Sequence, residues 1–589
     1  MCGIFGYLSS NINNFYTEII NSGYKIKERG PESTQIINTK DYILMFHRLS
    51  IMNPIRYLDQ PFVYLSRFPS SNLKEVYYIM CNGEIYNYKD LMKEYNIQLE
   101  KEHNDISIIF PLFESLNYNF THLNRLLNGE YSLTIIKVIY ERDGTERLDT
   151  VYMSTDPCSV RPLFYCINPE TNVVCFSSLL KGLTDLPNIN KKLITRMDGG
   201  DIVIVKFKNG VIDSEFQTVY NFDYNLSGLM KPLCEDNELY KRIYETLKEC
   251  VVKRLDSDRP LGCLLSGGLD SSLVAAIASE ELKKRGQKLY TFSIGMIGGT
   301  DLEFAKKVSK HIGSEHTEVI FTEEEGLSVI KDVVKTCESY DITTIRASIP
   351  QYLLAKYIRE KTEIKVVLNG DGSDECWGGY LYNYMAPSVL EFHKDNMKLI
   401  DNIHYFDGLR VDRNISRWGL EARVPFLDWD LVKLSKMVSP SVKKPTLERM
   451  EKYVLRKSVE ESNKELLPMD ILWRKKEAFS DGVSPNPKRC LGAPSGSETS
   501  FPIRIEKSWY QVIQEYIERV YDEEKIENPQ FSREEYLYNK PISKESEYYR
   551  RVFSREFTNE VERVIPYYWM PNWNTDVKDP SARKLNVYS

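Results

Sequence analysis

From about residue 236 onward, strand and helix patterns alternate along this chain of 589 residues, and this alternation constrains the fold more than any other feature. Runs of β-branched and apolar residues predict strands, whereas apolar residues three and four positions apart predict helices. In chain order, the segments are helix 237–255, strand 260–265, helix 271–285, strand 289–296, helix 302–311, strand 317–321, helix 323–336 and strand 363–368. Such alternation predicts an α/β domain in which helices cover both faces of a parallel sheet.

Residues 1–215 have a different pattern, which is rich in strands. The predicted strands are 42–46, 76–80, 131–139, 201–207 and 211–216, and a helix is predicted at 15–27. The Asn-Gly pair at 209–210 lies between the last two strands and predicts a hairpin turn. The mixture predicts an α+β domain. The length of the chain also indicates more than one domain, since single cores rarely exceed about 250–300 residues.

These patterns predict a chain of three parts. Residues 1–215 form one domain, residues 216–235 a linker and residues 236–589 a second domain. Residues 483–507 are rich in Ser, Pro and Gly, which predicts a mobile loop within the second domain.

Composition and charge exclude several classes of partner. The formal net charge is −7 and the sequence has no long block of Lys and Arg, so neither a nucleic acid nor an anionic membrane surface is predicted to bind. No apolar run approaches the ~18–20 residues of a membrane span, and no signal peptide is predicted at the N-terminus. The eleven cysteines form no CxxC pair and the seven histidines no zinc pattern, so a reducing, cytoplasmic compartment is expected.

The sequence Ser-Gly-Gly-Leu-Asp-Ser-Ser at 266–272 lies between a predicted strand and a predicted helix. Its glycines let backbone N–H groups approach a phosphate, its hydroxyls add donors, and a helix N-terminus favours anions. It lacks the Lys of GxxxxGK[ST], so it is not a P-loop site. A second polar loop, at 369–375, follows the strand 363–368. Both loops therefore lie at the carboxyl edge of the predicted sheet, where such sheets bind ligands.

Cys2 is the candidate nucleophile of the first domain. Removal of Met1 would give Cys2 a free α-amine, whose unperturbed pKa of about 7.7–8.0 suits a base for the thiol. Other residues there offer donors for an oxyanion, or charges that fit an α-carboxylate and an α-ammonium. They are Arg48, Asn82, Gly83, Glu84 and Asp105.

Four motifs resemble those of the class II glutamine amidotransferases, which are N-terminal-nucleophile hydrolases. They are Cys-Gly-Ile-Phe-Gly at 2–6, Arg-Gly-Pro-Glu at 29–32, His-Arg-Leu-Ser-Ile at 47–51 and Asn-Gly-Glu-Ile-Tyr-Asn at 82–87. The resemblance implies an αββα sandwich, Cys2 as the nucleophile, and an oxyanion hole made by Asn82 and the N–H of Gly83. The residues it implies for glutamine binding are Arg48, Leu49, Ser50, Ile51, Met52, Asn82, Gly83, Glu84 and Asp105.

The motif at 266–272 resembles the pyrophosphate loop of ATP pyrophosphatases. With the segments 340–348, 418–428, 474–483 and 543–550, it makes the chain similar to the glutamine-dependent asparagine synthetase family over nearly its whole length. The resemblance implies that aspartate, glutamine and ATP are converted to asparagine, glutamate, AMP and pyrophosphate through β-aspartyl-AMP, with Mg²⁺ as a cofactor.

The same resemblance implies roles for individual residues of the second domain. The residues implied for ATP binding are Leu264, Ser266, Gly267, Gly268, Asp270, Ser271, Ser272, Ile294, Asn369 and Gly370. Those implied for aspartate and the intermediate are Thr343, Thr344, Arg346 and Asp371. Arg346, Asp371 and Lys476 are the implied catalytic groups, and the implied metal ligands are Asp270 and Asp374.

Some positions depart from the family pattern. Asp371 stands where the family has Glu, which shortens the side chain by one methylene, about 1.5 Å. The departures in the first domain are Glu28, His103, Asn104, Ser107, the segment 155–159 and Leu179. They leave two alternatives open: another adenylating, amide-forming relative, and a homologue that binds ligands with little turnover. The oligomeric state is also open, with a homodimer among the alternatives.

Overall fold

The computed structural model describes residues 1–9, 12–54, 58–67, 69, 73–208, 211–219, 229–477, 482–484, 507–525 and 536–573. Its strands are β1 Gly3–Leu8, β2 Ser33–Asn38, β3 Tyr42–Arg48, β4 Phe62–Leu65, β5 Lys74–Ile85, β6 Gly129–Tyr140, β7 Glu146–Thr155, β8 Phe164–Asn168, β9 Val173–Ser177, β10 Thr195–Arg196, β11 Asp201–Lys208, β12 Val211–Thr218, β13 Leu261–Leu264, β14 Tyr290–Gly295, β15 Glu315–Ile320, β16 Val366–Leu368 and β17 Glu421–Arg423.

The α-helices follow the same chain order. They are Tyr16–Tyr24, Tyr88–Glu94, Ile109–Ser115, Phe120–Leu126, Asn237–Lys253, Leu269–Lys284, Thr300–Ile312, Glu323–Ser328, Ile330–Cys337, Ile342–Lys361, Ser373–Trp377, Val389–Asp401, Asp407–Ser416, Trp429–Met437, Pro440–Lys443, Tyr453–Ser462, Met469–Leu472, Trp509–Glu523 and Lys544–Phe557. Within the described ranges, none of these helices has the length and apolar character that a membrane crossing requires.

The N-terminal domain, which holds β1–β12, contains two antiparallel six-stranded sheets packed face to face. Their strand orders are β10-β8-β9-β1-β3-β2 and β12-β11-β7-β6-β5-β4. In β5, Val76, Tyr78 and Met80 enter the core between the sheets, whereas Tyr77 and Ile79 pack into the core beneath the outer helices. Because both faces of β5 are covered, its sequence is a continuous apolar run rather than an alternating one.

Helices cover the outer faces of both sheets. Ile109–Ser115 and Phe120–Leu126 share an apolar core with strands β5 and β6. The helix Tyr16–Tyr24 lies on the other sheet, where Ile19 and Phe5 belong to one core. The layers are therefore helix, sheet, sheet, helix, and the predicted αββα sandwich is confirmed.

The C-terminal domain, which holds β13–β17, contains a five-stranded sheet in the order β15-β14-β13-β16-β17. All four neighbouring pairs are parallel, so the predicted α/β domain with a parallel sheet is confirmed. The four strands predicted from the sequence are present as β13 to β16. The fifth strand, β17, was not predicted, because a run of three residues is too short to give a periodic signal.

One predicted helix, 323–336, is two helices in the structure. Thr322 and Glu325 form a capping box at the start of the first helix. Val329 has backbone angles of φ −95° and ψ −2°, outside the usual helical range, and the second helix begins at the next residue. The division therefore arises from the backbone conformation of one residue, which hydrophobic periodicity does not predict.

Parts of three predictions lie outside the described residues. Strands β11 and β12 pair with Lys208 opposite Val211, but the Asn-Gly pair at 209–210 that joins them lies outside. Residues 220–228 of the predicted linker and 485–506 of the predicted mobile loop also lie outside. Strand β12 continues to Thr218, and the domain boundaries stay predictions.

Buried, paired charges lie at the interface between the two domains. Arg29 donates to both carboxylate oxygens of Asp412, at 2.7 and 2.9 Å. Glu130 accepts from Arg161 at 2.8 Å and from Arg254 at 2.7 Å. These side chains are at most 1% exposed. Since an ion out of water is costly unless it is paired, the pairs oppose separation of the domains.

We expect Asp412→Asn to destabilise the protein by about 3–5 kcal/mol, because Arg29 would become a buried cation without a carboxylate. Arg413, which also donates to Asp412 at 2.8 Å, would keep only Glu338, at 3.3 Å. Urea denaturation midpoints would measure the change. The matched control is Asp213→Asn, which removes an exposed pair with Lys208 and should leave the midpoint nearly unchanged. Equal shifts for the two variants would contradict the prediction.

Candidate active sites

Cys2 lies directly before β1 and beside the end of β3. Gly3 is opposite His47 in the register of these strands, and the Cys2 thiol donates to the carbonyl oxygen of Leu49 at 3.6 Å. Burial raises the pKa of the Cys2 thiol because a thiolate would lose its solvation, and the positive charge of the N-terminus acts in the opposite direction. The thiol therefore needs a base close by in order to act as a nucleophile.

Asn82 and Gly83 offer hydrogen-bond donors and directly follow Cys81, whose thiol is near enough to that of Cys2 to interact with it electrostatically. The Asn82 side chain is fully buried, and within the described part of the chain its Nδ2 and Oδ1 have no hydrogen-bond partner. Gly83 has φ +143°, and a Cβ there would lie 1.9 Å from the carbonyl oxygen of Glu130, so only glycine fits. A buried amide without a partner costs about 1–3 kcal/mol, which a bound ligand atom would offset.

Arg48, the predicted partner of the glutamine carboxylate, is held by the protein itself. Its Nη1 donates to Asp59 at 2.7 Å and its Nη2 to the carbonyl oxygen of Asn53 at 2.8 Å. Asp59 also accepts from the Ser33 hydroxyl at 2.8 Å. Sequence reasoning missed Asp59, which belongs to no recognised motif, although it fixes the orientation of the guanidinium group.

The segment that follows Arg48 lies at the interface between the domains. The N–H of Ser50 donates to Glu32 at 2.9 Å, and its carbonyl oxygen accepts from Arg259 at 2.8 Å. The apolar residues on either side of Ser50 pack with Val366 of β16. These residues are Leu49, Ile51 and Met52. The predicted glutamine-binding segment is therefore held partly by the other domain.

Two buried carboxyl groups, Asp105 and Glu84, lie together in this site. Asp105 accepts from the N–H of Ile85 at 2.7 Å, and burial raises the pKa of Asp105 to about 7. Burial and the neighbouring Asp105 raise the pKa of Glu84. Asn104 and Ser107, both departures from the family pattern, form a capping box around the helical turn that begins at Asp105. Their side chains thus position this carboxyl group.

Strand β17 of the C-terminal domain reaches this site. Arg423 Nη2 lies 3.7 Å from Glu84 Oε1, and Glu421 Oε2 lies 3.6 Å from the amino group of Met1. The carbonyl oxygen of Arg423 also accepts from the N–H of Asn369 at 2.9 Å. One three-residue strand therefore contacts the Cys2 site and the loop 369–375. Sequence reasoning placed neither side chain in a site.

A cavity of about 230 Å³ lies at the carboxyl ends of β13, β14 and β16. It brings together most residues predicted for ATP, aspartate and metal: Leu264, Ser266, Gly268, Asp270, Ser271, Ile294, Thr343, Thr344, Asn369, Gly370, Asp371, Asp374 and Lys476. Three predicted residues are not among its lining residues: Gly267, Ser272 and Arg346. Arg346 instead pairs with Glu545 at 2.7 Å.

The loop 266–272 is folded around its own hydroxyl groups. Ser266 Oγ lies 3.0 Å from Ser271 Oγ and accepts from the N–H of Gly268 at 3.3 Å. Gly267 has φ +73°, a backbone conformation that favours glycine. A Cβ on Gly370 would lie 2.6 Å from the N atom of Ser271. The two polar loops are therefore in close contact at the edge of the sheet.

Two carboxylates and two ammonium groups alternate at one end of the cavity. Lys452 Nζ lies 2.5 Å from Asp270 Oδ2 and 2.6 Å from Asp374 Oδ1, while Lys476 Nζ lies 2.5 Å from Asp374 Oδ2. Burial alone would raise the pKa of Asp374, but Lys452 and Lys476 hold it well below its usual range. Lys452 was missed because 182 positions separate it from Asp270.

Asp371, another residue that lines the cavity, pairs with Arg410. Arg410 also lies 3.3 Å from Asp407. Burial raises the pKa of Asp371 to about 6, and the positive charge of Arg410 opposes that shift. Arg410 was not predicted, and among the lining residues it is the cation that contacts Asp371.

Several buried polar atoms of this cavity lack a hydrogen-bond partner within the described ranges. They are Asp270 Oδ1, Thr343 Oγ1, Gln351 Oε1, Glu375 Oε2 and Arg410 Nε. Polar atoms without partners are uncommon in protein interiors and mark places where a bound molecule completes the hydrogen bonding. The cavity therefore has the chemistry of a polar, charged binding site.

The chain matches known proteins along its whole length. A model of the family Asparagine synthase matches residues 242–402 and 391–491, and a model of the Glutamine amidotransferase domain matches residues 1–222. A probable asparagine synthetase (glutamine-hydrolyzing) of Acanthamoeba polyphaga mimivirus is 35% identical, with all of both chains covered. Asparagine synthetases (glutamine-hydrolyzing) of Gallus gallus and Homo sapiens are 35% and 34% identical, with 100% of this chain and 99% of each relative covered. The chain belongs to the family of glutamine-hydrolysing asparagine synthetases.

Proposed function

We propose that this protein synthesises asparagine from aspartate, using ATP to activate the β-carboxylate and glutamine to supply ammonia. The products are asparagine, glutamate, AMP and pyrophosphate. The observation that carries the proposal is strand β17, where Arg423 contacts Glu84 of the Cys2 site through its side chain and Asn369 of the nucleotide cavity through its backbone. A chain that holds one site against the other in this way suits a reaction in which the product of one site is consumed in the other.

In the glutaminase half, Cys2 is the nucleophile once Met1 has been removed. Its thiol gives a proton to the freed α-amine, and the thiolate attacks the side-chain carbonyl carbon of glutamine. Asn82 Nδ2 and the N–H of Gly83 donate to the oxyanion. Ammonia leaves with the proton returned by the amine, and water then hydrolyses the thioester to release glutamate and restore the thiol.

The charges around Cys2 fit the two ends of glutamine. Arg48, fixed by Asp59, faces the α-carboxylate. The carboxylates of Glu84 and Asp105 receive the α-ammonium group. Leu49, Ser50, Ile51 and Met52 complete the pocket with their backbone.

In the synthetase half, the loop 266–272 holds the phosphates of ATP while Leu264 and Ile294 border the adenosine. The β-carboxylate of aspartate attacks the α-phosphorus, which forms β-aspartyl-AMP and releases pyrophosphate. Ammonia then attacks the activated carbonyl carbon and displaces AMP. Lys452 and Lys476 balance the negative charge that develops on the departing pyrophosphate. Arg346, whose contact is with Glu545, is proposed to act after rearrangement of that contact.

Asp270 and Asp374 fit the magnesium that the family implies. Their carboxylates share one ammonium neighbour, Lys452, and Asp270 Oδ1 is buried without a partner among the described residues. Carboxylate oxygens together with phosphate oxygens are the ligands that Mg²⁺ prefers. When bound, the ion would neutralise phosphate charge and orient the pyrophosphate. The predicted cytoplasmic location and homodimer stay predictions.

The proposed function is tested by supplying ATP, Mg²⁺, aspartate and either glutamine or ammonium chloride, and measuring asparagine, pyrophosphate and glutamate. We expect asparagine with both nitrogen sources. Pyrophosphate exchange with another carboxylic acid, but not with aspartate, would favour a different adenylating relative. ATP binding without any exchange would favour a ligand-binding homologue.

Cys2→Ala should abolish glutamine-dependent asparagine synthesis, a loss of more than about 10³-fold, because the nucleophile is gone. Ammonium-dependent synthesis should continue at a similar rate, since the cavity of the C-terminal domain contains no part of Cys2. The matched control is Cys234→Ala, which changes an exposed cysteine outside both sites and should leave both activities intact. Loss of both activities in a folded Cys2→Ala protein would count against two separate sites.

Glutaminase kcat/KM should fall by about tenfold per pH unit below pH 7, because the pKa of Asp105 is about 7. Below that pH the carboxyl group is protonated and neutral, and it no longer attracts the α-ammonium of glutamine. Above it, the group is ionised and binding is complete. In Asp105→Asn, the activity should be low and the acid limb should become less steep, because only the α-amine of Cys2 would then titrate in this range. An unchanged acid limb in that variant would assign it to another group.

A further inference from the structure

Trp569, far along the chain from every predicted site residue, forms one wall of the nucleotide cavity. Its backbone N–H donates to Asp341 Oδ1 at 2.8 Å, and its indole packs on the ring of Tyr380 with centroids 5.1 Å apart. Asp341 in turn caps the helix Ile342–Lys361 by accepting from the N–H of Thr344 at 2.9 Å. Trp569 is therefore held between the start of that helix and Tyr380, with only 8% of its surface exposed.

The charged groups beside Trp569 fit the α-carboxylate and the α-ammonium group of a free amino acid. Arg410 pairs with Asp371 and lies 3.3 Å from Asp407. The Tyr380 hydroxyl donates to Glu375 at 2.6 Å and lies 3.2 Å from Asp407. A guanidinium group suits an α-carboxylate, and neighbouring carboxylates suit an α-ammonium. Arg410 Nε and Glu375 Oε2 are buried and have no hydrogen-bond partner in the ranges that the structure describes.

Other lining residues of the same cavity carry the groups suited to phosphate. They are Lys452 and Lys476, which pair with Asp270 and Asp374. An amino acid anchored by Arg410 would extend its side-chain carboxylate from the Trp569 end toward the phosphates. The distance between the indole wall and the phosphates would then limit how long that side chain can be.

We propose that Trp569 is a specificity-determining residue that closes the acceptor end of the cavity and selects aspartate over the longer glutamate. This inference rests on the proposed function, since it names a determinant of the acceptor in that reaction. Glutamate is one methylene longer than aspartate, so its α-carbon would have to lie farther from the phosphates. A rigid, apolar wall leaves no room for that shift. Discrimination of one methylene in this way is typically about 10–200-fold.

The test is ATP–pyrophosphate exchange with aspartate and with glutamate, in the full-length protein and in Trp569→Ala. We expect kcat/KM for aspartate relative to glutamate to fall by about tenfold or more, with a higher KM for aspartate and an unchanged KM for ATP. The matched control is Trp573→Ala, from the same segment. Trp573 packs on Tyr382 with ring centroids 5.9 Å apart but does not line the cavity, so its removal should leave the ratio unchanged.

An unchanged ratio in Trp569→Ala would overturn the inference, and so would equal losses for ATP, aspartate and glutamate, which indicate a structural role. Glutaminase activity and thermal denaturation report whether the variant is folded. If it is not, Trp569→Phe, which keeps a ring against Tyr380, should shift the ratio in the same direction by a smaller factor, and no shift would overturn the inference. Absence of aspartate-dependent exchange in the parent protein would instead reject the proposed function.

Discussion

Arg423 is the side chain on which the arrangement of both sites depends. Its guanidinium group is fully buried and bonds Glu421 at 2.8 Å and the carbonyl oxygen of Asp256 at 2.6 Å. It also faces Glu84, a residue of the other domain, at 3.7 Å. A buried cation is tolerable only where its donors are matched by acceptors in fixed places. An ion pair of Arg423 therefore links β17 to the Cys2 site, and the hydrogen bond from Asn369 to the carbonyl oxygen of Arg423 links β17 to the loop 369–375.

The same constraint explains why unpaired polar atoms are informative here. The interface shows that this protein pairs its buried charges, as in the bonds of Glu130 to Arg161 and Arg254. Against that background, Asn82 and Asp270 each keep a buried atom without a partner among the described residues. A donor or an acceptor that is already oriented and desolvated needs little reorganisation when charge develops on a substrate. At both sites, the fold thus leaves hydrogen bonding that a ligand can complete.

The sequence predicted both fold classes, because each depends on patterns repeated over many residues. The strands buried on both faces and the alternation after residue 236 are such patterns. It also predicted the loops that follow β13 and β16, since their residues are contiguous. It did not predict Lys452, Arg410, Asp59 or Trp569. Each of these reaches its site from a distant part of the chain, and a lone Lys, Arg, Asp or Trp carries no local signal. The roles assigned to individual residues stay predictions until they are measured.

Asp371 is a residue for which both the sequence and the structure are needed. The sequence identifies a carboxylate one methylene shorter than that of the family, and two kinds of compensation are conceivable: a shift of the loop or a change of partner. The structure favours the second. Gly370 packs so closely on the next loop that a Cβ would lie 2.6 Å from the N atom of Ser271, which leaves little freedom for the backbone to advance. Asp371 is instead bound by Arg410, so the charge at this point of the cavity is carried by an ion pair. A shorter acid that is held by its own cation has a fixed position in the cavity, so the ion pair compensates for the missing methylene by orientation and not by reach.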